Sequence, residues 1–548
     1  MHVRKVAFAL LAAGLTGLTL GTVAAGPATA ADAPGFTTVK LPKSYGTSEP
    51  RAAVAADGTS YVVTNGGSQN DLGFGLETVY RSPDGVHWSM TKGQPGDQTE
   101  ATTDVDIVAT RTGRLITSEL DYGGINFRTD YSDDGGKTWT PSTLTTFADT
   151  DRQWFAVGPD DPATHQPRVY MLFHNLLSGA AQHNMWVSTS TDGGATFGPP
   201  VPVATPPQQD YLDLQCADSG GPSNIFVDQH SGRVYVVFGT RSSPAGGCAA
   251  QPTEINVVAA NRVWVVGADA ADTATPGAWT PHLAVNDTGP PAHIVGMQLA
   301  PGAVDTKGNV YVAYPESIHD YPDYDGAAIK VVHASSKALD TWSKPAVVAP
   351  SGGVGNVLPH IVAGSPGKVD LAWYHGTKVD GKIRWYSYAA QSLDALSASP
   401  HWSTVKLSPV VVEPDQTSSE LMGACMQGRQ ATLNGFTCGR STDVNGIALD
   451  GCGRLLVTWP AQANLPTDAT YVSQQTSGPT VLPCSRGSTT AHAGHNAGGR
   501  APSADQVSQA VRAGATLATT GASGRLAIGA VLAVAIAGVL LLARRRLG

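Results

Sequence analysis

Basic residues are few in this chain of 548 residues: 35 Lys and Arg stand against 44 Asp and Glu, a net charge of −9. Outside the two ends there is no basic run, which argues against nucleic acid and anionic lipid as partners. Cysteine is also scarce, at six residues. None has C-x-x-C spacing or a histidine cluster beside it, so no zinc site is expected, and no other metal or cofactor is called for. Helical periodicity is nearly missing, which excludes a helix bundle. Long apolar runs occur only at the ends.

The first thirty residues read as a secretion signal. His2, Arg4 and Lys5 supply a positive start, Val6 to Leu20 an apolar run, and Ala28-Thr29-Ala30 a small-residue cleavage site. The other end carries Leu517-Ala518-Thr519-Thr520-Gly521, then an apolar segment from Leu526 to Ala543, then Arg544-Arg545-Arg546. That segment is near the lower limit for a transmembrane span, and the arginines would hold its end inside. Motif, span and basic tail in this order (517–548) resemble the LAxTG sorting signal of sortase substrates in high-GC Gram-positive bacteria. The resemblance implies that sortase cleaves between Thr520 and Gly521 and joins Thr520 to a peptidoglycan amine. A plain C-terminal membrane anchor is the alternative. Processing at both ends would remove six of the 35 basic residues, leaving 29 against 44 acidic ones, near −15. Repulsion from an anionic wall would hold such a domain clear of it.

Cys216, Cys248, Cys425, Cys438, Cys452 and Cys484 all lie in the exported part. An even count in an oxidising compartment reads as disulfides, with neighbour pairing 216–248, 425–438 and 452–484 as the expectation. From 485 to 516 the composition turns to Gly, Ala, Ser, Thr and His without strand pattern, a flexible linker of a kind that can thread a wall.

Between 36 and 484 the chain repeats itself. The unit is an apolar strand, a tight Asp/Gly turn and a second strand rich in Val and Tyr. It recurs at 53–63, 106–118, 155–173, 225–239, 302–314, 360–374 and 446–459. A second hairpin follows most of these. Ser132 to Trp139 and Ser190 to Phe197 fit S-x-D-x-G-x-T-[W/F], Ser82 to Trp88 is one residue shorter, and stretches ending in Trp264, Trp342 and Trp402 read as eroded copies. In such a turn Asp accepts backbone N–H groups, Gly takes the positive φ, and the aromatic packs back on the strands. Asp134 and Asp192 are therefore structural candidates, not catalytic ones. Two hairpins make a four-stranded blade, and a ring of blades is a β-propeller, all-β. Seven first hairpins favour seven blades over six. The ring would close if Phe36 to Leu41, similar to Ser403 to Leu407, supplied the last outer strand.

In a propeller the starts of the innermost strands converge on an axial funnel. Those positions are Glu49, Arg51, Asp104, Asp106, Asp151, Arg152, Gln153 and Trp154, then Asn224, Gln298, His360 and Asn445. Arginines, carboxylates and an aromatic at one mouth suit a sugar or carboxylate ligand. Mutual satisfaction around a solvent-filled channel is the plain alternative.

The array resembles the sialidase-like Asp-box (BNR-repeat) superfamily over roughly 45–480. The resemblance implies three arginines on a substrate carboxylate, a tyrosine nucleophile assisted by a glutamate, and an aspartate acid/base. Arg51 takes the first arginine's position, but in Arg51-Ala52-Ala53 where the family has R-I-P. Arg152 fits a second by position and Arg440 a third. Tyr374, Tyr386 and Tyr388 are nucleophile candidates with no motif to choose among them. Glu420 and Asp151 are the candidate carboxyl groups of a retaining hydrolase. Arg51, Arg152, Trp154 and Glu49 are the expected ligand contacts. The expectation is a monomeric, wall-anchored extracellular propeller that meets glycans or glycoconjugates. Active exo-alpha-sialidase and non-catalytic protein-binding module, the latter through the loops 205–223 and 408–444, stay open beside it.

Overall fold

Where strands repeat at this spacing, both faces of each sheet are buried, and the strands read as unbroken apolar runs. The computed structural model describes residues 33–44, 49–65, 76–96, 102–121, 126–145, 150–175, 183–216, 221–243, 260–287, 294–295, 300–317, 326–414, 446–461 and 469–484. They form seven antiparallel sheets, each built on four strands, a seven-bladed β-propeller. The innermost strands are Arg51–Val54, Thr102–Ala109, Thr150–Asp160, Pro222–Val227, Gly302–Val304, Gly355–Ala363 and Gly446–Leu449, which number blades 1 to 7. Each lies against the next, and the seventh lies against the first.

Strand alternation fills the gaps between blades. In the second strand of blade 4, Val234–Thr240, the side chains of Val234, Val236 and Phe238 join a cluster with Ala156, Tyr170 and Val187 of blade 3. Tyr235 and Val237 point the other way, into a cluster with Val310, Val312 and Val332 of blade 5. A period of two thus serves two interfaces at once. The gap between blades 1 and 2 is filled likewise by Val63, Val79, Val105, Ile107 and Leu115.

The Asp-box turns are closed by their own side chains. Asp134 Oδ1 accepts the backbone N–H of Lys137 and of Thr138, both at 2.9 Å, and Oδ2 accepts the Thr138 hydroxyl at 2.8 Å. Asp192 repeats this with Thr196. Both boxes join third and fourth strands, at the outer part of the blade, and both carboxylates are spent on the turn. One eroded copy differs from expectation. Trp264 lies inside the third strand of blade 4, Arg262–Ala268, and the aromatic of the following turn is Trp279. The segment 205–223 also holds one short helix, Gln209–Leu214.

The N-terminal strand Gly35–Lys40 pairs antiparallel with Ala469–Ser477 and becomes the outermost strand of blade 7. The ring is therefore closed by both ends of the propeller sequence, as Phe36 to Leu41 led one to expect. The turns between first and second strands, such as Asp450 to Arg454, lie on the face opposite the starts of the innermost strands. Val481 is hydrogen-bonded to that turn through the Gly453 carbonyl, and Cys484 is disulfide-bonded to Cys452 within it. Cys484, the last described residue, thus lies on the face opposite the starts of the innermost strands. Cys216 is disulfide-bonded too; Cys248, Cys425 and Cys438 lie outside the described residues. So do the signal 1–30, the linker 485–516, the motif Leu517 to Gly521 and the apolar segment after it. Among the described residues no helix is long and apolar enough to cross a membrane.

Candidate functional site

Four innermost strands, those of blades 2, 3, 4 and 6, carry a β-bulge near their start, between Thr102 and Val105, Asp151 and Trp154, Pro222 and Asn224, and Val357 and His360. A bulge breaks the two-residue alternation and re-aims side chains. Glu49 and Arg152 are non-glycine residues in left-handed backbone, with φ of 48° and 56°. Such conformations cost roughly 1 kcal/mol or more each and persist only where surroundings enforce them.

The bulges gather a buried charge cluster on blades 1 to 3. The Arg51 guanidinium lies over the Trp154 ring, 3.9 Å from its centroid, a cation–π stack. Arg51 Nε stands 3.9 Å from Asp106 Oδ1, too far for a hydrogen bond. Arg51 Nε and Nη2 are buried with no hydrogen-bond partner among the described residues. Burial lowers the Arg51 pKa, opposed by Asp106, Glu49 and Asp104. Asp106 is occupied otherwise, accepting from Ile107 N–H at 2.9 Å and from Phe155 N–H of blade 3 at 2.7 Å. Burial pushes its pKa up to about 6, against the pull of Arg51.

Asp151 is the second pole. Its Oδ1 accepts the Arg152 N–H at 2.9 Å, while Oδ2 lies 3.7 Å from Arg152 Nε and 3.4 Å from His174 Nε2. Burial would raise its pKa, but His174 and Arg152, with a hydrogen bond from Asp104, bring it below the ordinary value. His174 in turn meets His183 at 3.3 Å, and His183 Nδ1 meets the Leu214 carbonyl at 3.3 Å. Gly221 closes the cluster from the blade 4 side. A Cβ there would sit 3.0 Å from both Arg152 Cδ and His174 Cε1.

Glu49, Arg51, Asp104, Asp106, Asp151, Arg152 and Trp154 are thus brought together. Gln153 and Asn224 instead staple strands, to the Asp104 carbonyl at 2.9 Å and to the Gly302 carbonyl at 2.7 Å. His360 is buried on the innermost strand of blade 6. Tyr374 lies on the second strand of that blade. Tyr386 and Tyr388 lie on the third, under the Lys406 ammonium and against Trp373 respectively. Glu420, Arg440, Gln298 and Asn445 lie outside the described residues. His174 and His183 were missed because only innermost strands were read. The signal was present, since antiparallel register places His174 directly across from Asp151. Among the described residues no cluster of His, Cys, Asp and Glu is arranged to hold a metal ion. Chemically, the cluster can bind an anion and move a proton.

No family model matches the chain, and no curated protein does. Solved structures similar to it include an ulvan lyase, a polysaccharide lyase (12% identity, TM-score 0.47, 80% of this chain and 95% of that one). Others are the alpha-L-arabinanase of Penicillium chrysogenum (10%, 0.38, 82% and 98%) and the NanB sialidase of Streptococcus pneumoniae (10%, 0.37, 80% and 69%).

Proposed function

We propose that this protein is a wall-displayed extracellular propeller whose axial funnel recognises an anionic glycan through a carboxylate. The observation that carries the reading is Arg51. A buried guanidinium whose Nε and Nη2 have no partner among the described residues is costly, and a carboxylate oxygen is the partner that satisfies it best. Trp154 fixes its plane, and Arg152 adds a second positive charge nearby. An aromatic-backed arginine at a propeller axis suits a sugar acid better than a neutral sugar. Display at the wall rests on the order of motifs at the two sequence ends. The position of Cys484, the last described residue, on the face opposite the starts of the innermost strands agrees with it.

Hydrolysis is the second reading, favoured by Asp151, a carboxyl group that meets His174 beside the two arginines. The experiment is a glycan array rich in sialosides and uronates, run with a fluorogenic sialoside release assay. Binding of acidic glycans that Arg51→Ala loses supports the reading, and release lost with Arg51→Ala supports hydrolysis. Silence in both assays, with a protein partner captured through 408–444, would overturn it in favour of a protein-binding module.

A further inference from the structure

Asp151, His174, His183 and the Leu214 carbonyl form a chain of three hydrogen-bond contacts, at 3.4, 3.3 and 3.3 Å. All three side chains are buried. A carbonyl only accepts, and so does an ionised carboxylate. Three contacts need three protons, whereas two neutral imidazoles supply two. In the state without an extra proton one contact must fail. The cheapest failure leaves His174 Nε2–H donating to the carboxylate, because a charge-assisted bond is the strongest of the three. His183 then donates through Nε2, and its bare Nδ1 faces the Leu214 carbonyl. With one more proton every contact is made. His183 Nδ1–H donates to Leu214, His174 Nδ1–H donates to His183 Nε2, and the added proton lies between His174 Nε2 and Asp151 Oδ2.

We propose that this chain is a proton-coupled relay in which uptake of one proton reverses the His183 tautomer and makes the funnel floor one charge more positive. The second half rests on the anionic-glycan reading above: a carboxylate binds together with that proton. Among the described residues the surrounding charges are few. Asp104, from the innermost strand of blade 2, hydrogen-bonds Asp151, and Arg152 lies beside both Asp151 and His174. From the helix Gln209–Leu214 neither acid acts on either imidazole, Asp213 being held by Arg262 at 2.8 Å. Gly221 brings no charge. Burial lowers the His174 pKa, opposed by Asp151, and burial beside His174 takes His183 down to about 3. The free relay therefore takes its proton below the ordinary histidine range, and a bound anion moves that uptake toward neutrality.

Nitrogen-15 NMR of the full-length chain labelled at histidine, from pH 2.5 to 8, tests the relay without any ligand. The expected result is that the protonated position on His183 moves from Nε2 to Nδ1 in one titration shared with His174. Asp151→Asn should abolish it, because the amide donates to His174 Nε2 at every pH. His183→Gln assigns the resonances. A His183 tautomer that stays fixed across the range would overturn the relay. Coupling is read by calorimetry of N-acetylneuraminic and glucuronic acids in buffers of different ionisation heat. Uptake of roughly one proton per ligand, with affinity falling by up to roughly tenfold per pH unit, is expected. Binding without proton uptake would overturn the coupling and leave the function standing. Failure of both acids to bind, with the tautomer reversal intact, would remove the function and keep the relay.

Discussion

Asp370 sits on the second strand of blade 6, in Val369–Val379, 1% exposed. Its Oδ1 accepts the Gln391 amide at 2.9 Å, and Oδ2 has no partner among the described residues. Burial pushes its pKa up to about 7. In the unfolded chain an aspartate titrates near 4. Between these values the folded state holds the proton and the unfolded state does not, so stability declines as pH rises through that window. Above it the full difference applies, about 3 pH units, or on the order of 4 kcal/mol. Asp370→Asn keeps the shape and the Gln391 bond but removes the titration. The variant should match wild type near pH 4 and become the more stable protein by pH 8. A domain of roughly 450 residues changes Tm by about 1 °C per kcal/mol, so a gap of about 4 °C is expected. The assay is thermal unfolding of both proteins, in parallel, from pH 4 to 8.5. A difference between the two that does not grow with pH would refute the reasoning, because it would mean Asp370 titrates alike in both states.

Three other predictions concern closure and display. Leu41 follows the closing strand, is fully buried and packs against Ala52, Val62 and Val472; Leu41→Ala should cost roughly 2–5 kcal/mol in denaturant unfolding. The Cys452–Cys484 disulfide spans a sequence separation of 32, so Cys452→Ser should lose about 4 kcal/mol by loop entropy, a loss absent when both proteins are compared under reduction. Thr520→Ala should shift the protein from the wall fraction to the membrane or the medium, and unchanged wall attachment would count against sorting.

Much of this protein is decided by its sequence. Seven strand–turn–strand units of Val, Tyr and Gly can bury both sheet faces only by stacking on neighbours, and a closed ring is the arrangement that leaves no outer blade exposed. The Asp-box turns were legible for the same reason, since the Asp134 and Asp192 carboxylates accept hydrogen bonds from residues a few positions away. Even the closing strand could be read, because Phe36 to Leu41 carries the pattern of an outer strand. What the tertiary structure alone decided is which groups meet. β-Bulges break the alternation that makes strands readable, so no sequence rule places Arg51 over Trp154 or leaves its Nε and Nη2 without partners among the described residues. His174 and His183 gain significance from a register across one blade and a helix carbonyl beyond it. Local bonds are written in neighbouring residues, whereas the charge cluster is assembled from three blades whose contributions together span about a hundred residues.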